Sequence, residues 1–165
     1  MVIQKPTTSS SFDYKRDYSA INFRKNPQLY QIGRGEQGVL LAQPYKSEIL
    51  PHWRFKTPEI ARISANKIYK IFLAYKKERD FVGMDMARKF LQMGYTRARR
   101  YANHKSGRKY EKGTKKILPQ NPDWKTGEKA QSARIFYEKY VLAKEDSVYK
   151  EMKMEHKIRY NKKTI

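Results

Sequence analysis

The chain is expected to fold as a mainly α, single compact domain, with α+β as the alternative, and three features of the sequence carry that expectation. Thr57-Pro58-Glu59 opens an apolar stripe at Ile60, Ile63, Ile68, Ile71, Phe72 and Tyr75, the spacing of one helix face. Asp80 precedes a second run at Val82, Met86, Ala87, Phe90, Leu91 and Met93. Helical period returns between Lys125 and His156, at Ala130, Ala133, Phe136, Tyr137, Tyr140, Val141, Val148, Tyr149 and Met152. A length of 165 residues sets one domain as the prior.

The elements follow in chain order. Residues 1–11 are polar and Ser/Thr-rich and read as a flexible tail; the domain proper runs over 12–158, and 159–165 is a basic tail. Residues 12–56 form an irregular, Tyr-rich segment with Phe12, Tyr14, Tyr18, Ile21, Phe23, Leu29 and Tyr30 as anchors, and Asn26-Pro27 is a turn signal. The glycines of Gly33-x-Gly35-x-x-Gly38 permit positive φ, and the short run that follows, stopped by Pro44, predicts a small β-hairpin of roughly 28–32 and 38–42.

Residues 57–103 hold the helices. Thr57 is the N-cap and Pro58 the first residue of a helix over about 58–78. Asp80 caps a helix that Gly94 ends, and a short third helix from Thr96 to Asn103 displays Arg97, Arg99 and Arg100. Two helices joined at a glycine admit a helix-turn-helix reading, although Ala87 to Gly94 is longer than that motif's spacing. Residues 104–123 are a basic loop, and 124–158 one long helix or two joined near Glu145–Ser147. The count is three to four helices.

Charge points to a partner. Lys and Arg number 37 against 16 Asp and Glu, a net of +21. Self-repulsion of that size works against a compact state, and a polyanion is its usual counterpart because phosphate neutralisation releases condensed counterions. Eleven cations and one acid, Glu111, lie between Met86 and Lys116, a net of +10. Five of the eleven are arginines, which bind phosphate bidentately, and Phe90, Tyr95, Tyr101 and Tyr110 lie among them. Residues 138–151 mix both signs at helical spacing and read as a solvated face.

Nucleic-acid binding, led by phosphate contacts, is therefore the expected function, DNA or RNA alike. The residues assigned to it are Arg97, Arg99, Arg100, Lys105, Arg108 and Lys109, with Arg34, Arg54 and Lys56 as second contributors and Tyr101, Tyr110 and Trp53 for base stacking. For Phe90, Tyr95 and Tyr101 the competing role is core packing with arginines arranged around them. An acidic protein is the alternative partner.

Catalysis has weaker support. Cysteine is absent, His52, His104 and His156 stand in separate contexts, and no nucleophile elbow occurs. Gly33–Gly38 lacks the following helix of a dinucleotide fingerprint; the middle reading is that its amides, with Arg34, cradle one phosphate. A small Mg-dependent enzyme at that loop would draw on Glu36, Glu48, Glu59, Asp80 or Asp85, of which Asp80 and Glu59 also read as caps and Glu36 as the ion partner of Arg34. No cofactor or metal site is expected. No run approaches the ~20 apolar residues of a membrane span and no secretory leader is apparent, so a cytoplasmic protein without membrane contact is expected.

Three stretches, FDYKRDYSAINFR, IGRGEQGVLLAQPYKSEILPHWRFKTPE and DFVGMDMARKFLQMGYTRARRYANHKSGRKY, carry a family likeness. The chain resembles the proteins grouped as domain of unknown function 4385, whose members bear the label cytoplasmic protein. The resemblance implies one domain spanning nearly the whole chain and an intracellular protein. It implies no activity and no site residues.

Overall fold

The computed structural model describes residue 13 and residues 15–161. Five α-helices follow one another: α1 (Tyr45–Ile49), α2 (Pro58–Lys77), α3 (Phe81–Asn103), α4 (Glu128–Lys144) and α5 (Ser147–Tyr160). Single 3-10 turns stand at Tyr18–Ala20, Pro27–Leu29 and Leu50–His52. Phe12, Tyr14, the 1–11 segment and residues 162–165 lie outside the described residues.

Helix starts are set by local chemistry. The Thr57 side chain accepts from Ile60 N (3.2 Å) with Pro58 in the first turn, where its missing N–H costs nothing. Asp80 accepts from Gly83 N (3.0 Å) to open α3, and Asp146 from Tyr149 N (3.0 Å) to open α5. The C-terminal period therefore divides into two helices at Glu145–Asp146.

Two expectations are corrected. No strand occurs among the described residues, so the β-hairpin of 28–32 and 38–42 is absent. The segment instead turns on itself three times, Gln37 N to Arg34 O (3.0 Å), Val39 N to Glu36 O (3.3 Å) and Leu41 N to Gly38 O (3.0 Å), with φ +54° at Gly35 and +80° at Gly38. The turns bury Val39 and Ala42, three apart, and leave Leu40 and Leu41 exposed, which a pleated strand could not do. Among the described residues the helix count is five rather than three to four, because Tyr45–Ile49 winds into α1 and the C-terminal period splits.

Gly94 does not end a helix. It lies inside α3, which runs unbroken to Asn103 and absorbs the expected third helix, so the helix-turn-helix reading has no turn to stand on. A side chain at Gly94 would strike the Phe136 ring of α4, at 2.6 Å from Cγ. This glycine serves close packing between α3 and α4.

The core is arranged around α3. Every residue from Phe81 to Leu91 is buried, enclosed by α2, α4, α5 and the N-terminal segment. A helix covered on all sides carries its polar residues inward as well, here Asp85, Arg88 and Lys89. The irregular segment contributes Phe23, Tyr30, Tyr45 and Ile49 to the same core. His156 Nε2 donates to the Tyr30 carbonyl (2.8 Å), and Ile32 N donates to Asn161 Oδ1 (3.1 Å), which joins the two ends of the described chain.

Candidate nucleic-acid interface and a basic cleft

The C-terminal end of α3 presents Arg97, Arg100 and Tyr101 together, since positions 97, 100 and 101 share one helix face. All three are exposed, Tyr101 by 40%. Arg99 points elsewhere: its guanidinium donates to Asn103 Oδ1 (2.9 Å) and to the Trp124 carbonyl, and lies over the Trp124 ring. It fastens the 121–127 turn to α3.

The loop beyond α3 is ordered by its backbone. His104 Nδ1 donates to Pro119 O (3.0 Å), Leu118 N to Lys109 O (2.7 Å) and Glu111 N to Lys116 O (2.9 Å), around an isolated bridge between Tyr110 and Ile117. Lys105, Arg108 and Lys109 are exposed on it, and Lys109 stands over the ring of Tyr110, itself 48% exposed. Tyr101 connects this loop to a groove of about 460 Å³ lined by Arg54, Phe55, Lys56, Ile60 and Lys129, while its ring lies against Gly107. Arg54, Lys56 and Tyr101, distant in sequence, thus meet. Among the described residues no carboxylate lies within ion-pair distance of Arg54, Lys56, Arg97, Arg100, Lys105, Arg108 or Lys109.

Trp53 does not join them. Its ring packs edge-on against Phe55 (5.0 Å) and Phe90 (6.2 Å), and its Nε1 is buried without a hydrogen-bond partner. Phe90 is core, and Tyr95 packs on Tyr137.

Arg34 lies on a second feature, a cleft of about 950 Å³ between the Gly33–Gln37 turn and α4–α5. Arg88, Lys144, Lys150, Lys153 and Lys157 line it with Arg34, against one acid, Glu145, which pairs with Lys150 (2.5 Å). The α5 lysines at 150, 153 and 157 recur at i, i+3 and i+7, so they share the face that looks into the cleft. Sequence reasoning missed this group because Glu145, Glu151 and Glu155 make the same stretch look like a solvated face.

Below the cleft the buried charges form one network. Asp85 accepts from Arg88 Nη2 (2.6 Å), from Tyr149 Oη (2.7 Å) and from Tyr30 Oη, with Lys89 Nζ 3.8 Å away. Burial alone would raise the Asp85 carboxyl, but Arg88 and Lys89 hold it well below the usual carboxylate range. Burial pushes the Lys89 ammonium down to about 8 against the pull of Asp85. The same two cations fix the turn above: Arg88 Nη1 donates to Gly35 O and Lys89 Nζ to Gln37 O, both at 2.7 Å. Two of the eleven cations counted between Met86 and Lys116 are therefore core residues.

Of the carboxylates weighed for catalysis, Glu48 and Asp80 meet at one guanidinium, that of Arg24 (3.0 and 3.4 Å), while Glu36 and Asp85 are engaged elsewhere. Glu36 accepts from Thr96 Oγ1 (3.0 Å), with no ion pair to Arg34; Glu48 holds Arg24 and Tyr75; Asp80 caps α3 and accepts from Tyr45 Oη (2.7 Å). Among the described residues no three His, Asp or Glu side chains converge, and no helix is long and apolar enough to cross a membrane.

These features define a small helical domain with one cationic end and one cationic cleft. A family model described as Domain of unknown function (DUF4385) matches residues 13–159, nearly the whole chain, and the chain belongs to that family. No curated protein and no solved structure matches it.

Proposed function

We propose that this protein binds nucleic acid through its phosphate backbone, on the surface formed by Arg97, Arg100, Lys105, Arg108 and Lys109 with Arg54 and Lys56 beside them. One observation carries the reading: Arg54 and Lys56 line one groove with Tyr101, which shares a face of α3 with Arg97 and Arg100 and lies against Gly107 of the basic loop, and among the described residues none of these cations has a carboxylate within ion-pair distance. Arg99 is assigned to holding the 121–127 turn. Exposed Tyr101 and Tyr110 supply faces on which bases stack, a sequence-tolerant contact.

The test is a fluorescence-anisotropy titration of nuclease-treated protein with duplex DNA, single-stranded DNA and RNA at two salt concentrations. Neutralising six to ten phosphates weakens binding by about 10³–10⁵ between 50 and 200 mM salt. Arg97→Ala/Arg100→Ala/Lys105→Ala should lose most of the affinity at low salt. Equal affinity in that variant, or no binding to any probe, sinks the reading.

A further inference from the structure

The cleft beside the glycine turn has the attributes of a ligand site in its own right. Its volume of about 950 Å³ lies within the ~300–1,000 Å³ range of small-molecule pockets. Its walls are cationic from both sides, Arg34 on the turn and Lys144, Lys153 and Lys157 on the helices. None of these four has a carboxylate within ion-pair distance among the described residues.

The floor adds to this field. Arg88 and Lys89 face a single buried acid, Asp85, so the network beneath the cleft carries an excess positive charge. Arg88 also lines the cleft and, with Lys89, clamps the carbonyls of Gly35 and Gln37 downward. The turn that carries Arg34 is therefore pre-positioned, and preorganised cations bind an anion with less ordering cost. Burial, then Arg88, lowers the Lys153 ammonium. Tyr140 and Ile32 supply apolar surface at the same walls.

We propose that this cleft binds the phosphates of a compact polyphosphorylated ligand of nucleotide size, held between Arg34 and the lysines Lys144, Lys153 and Lys157. The site is separate from the nucleic-acid surface: Lys129 and Lys144 mark opposite ends of α4, about 22 Å apart along its axis. The inference does not depend on that surface being functional.

Isothermal titration calorimetry of the full chain with inorganic tripolyphosphate and with ATP, each without added metal, tests the proposal. Saturable one-to-one binding is expected, weakened about tenfold or more in Lys153→Gln/Lys157→Gln, as loss of two charge-assisted contacts implies. Arg97→Ala/Arg100→Ala should bind as the parent does. Lys144→Gln, at an exposed position, gives a second reading should the double variant melt early. Tighter binding of ATP would place the nucleoside against Tyr140; equal binding would assign recognition to the phosphates alone, and either supports the site. Absence of saturable heat with both ligands overturns it. So does an unchanged affinity in the lysine variants, or a cleft that responds to an oligonucleotide but not to tripolyphosphate.

Discussion

Gly94 on α3 and Phe136 on α4 are in direct contact, the aromatic ring occupying the space where any other residue would place its Cβ. Gly94→Ala gains helix propensity but overpacks a closed interface, and the second effect is larger. A loss of about 1–3 kcal/mol is expected in thermal or urea unfolding. Phe136→Leu in the Gly94→Ala background should recover part of it; a variant as stable as the parent would show that α4 can shift freely.

Asp85 is fully buried and, among the described residues, is the sole acid within ion-pair distance of Arg88 and Lys89. Asp85→Asn keeps the shape and leaves two cations in the core without a counter-charge. Urea denaturation should show a loss of about 3–5 kcal/mol, the cost of breaking a buried pair from one side. Adding Lys89→Met should return part of that stability, since one of the stranded charges is gone.

Stability should rise with pH well past neutrality. Lys89 gives up its proton near pH 8 in the fold, whereas the unfolded chain holds it to 10.5, so the unfolded state binds more protons in that window. Buried His156, also lowered, adds a rise of the same sign below pH 6.5, and Asp85 another below its ordinary carboxylate range. Burial raises the phenols of Tyr30, Tyr45, Tyr75 and Tyr149, which reverses the trend once unfolded tyrosines ionise above pH 10.0. The melting temperature should therefore peak between about pH 8 and 10. Lys89→Met should flatten the alkaline part of the rise.

Arg99 and its neighbours should separate in their effects. Arg97→Ala/Arg100→Ala is expected to reduce the salt slope of nucleic-acid binding by about 2, one per phosphate contact, with little change in melting temperature. Arg99→Ala should do the opposite, releasing Asn103 and Trp124 and lowering stability while leaving the slope in place. A slope unaffected by the pair would remove them from the interface.

The contrast among these arginines shows where sequence was informative. Thr57, Asp80 and the apolar stripes act through bonds and contacts within a few residues, so the starts of α2 and α3 were legible. Gly94 was misread because its role depends on Phe136, forty-two positions away, which no local pattern encodes. Arg88 and Lys89 look like surface cations until it is known that the first half of α3 is covered on every side. The hairpin failed for a related reason: a glycine-rich turn followed by four apolar residues suits a strand locally, while Val39 and Ala42 are placed by the core they reach. The surface cations at 97–109 were visible as composition, but the groove that joins Tyr101 to Arg54 and Lys56 belongs to the tertiary fold.

The Tyr30 carbonyl accepts from both His156 and Asn161, partners 126 and 131 residues downstream. During synthesis the N-terminal wall of the cleft is made first and can fasten to α3 through Arg88 and Lys89, but its contacts to α5 wait until that helix emerges. Bringing such distant positions together carries a loop-closure cost that grows only with the logarithm of the separation, but it must be met before the contacts form. Translation of this chain should therefore yield a nascent core of α2, α3 and α4 first. The cleft is completed last, when α5 and Asn161 close against residues 30–32.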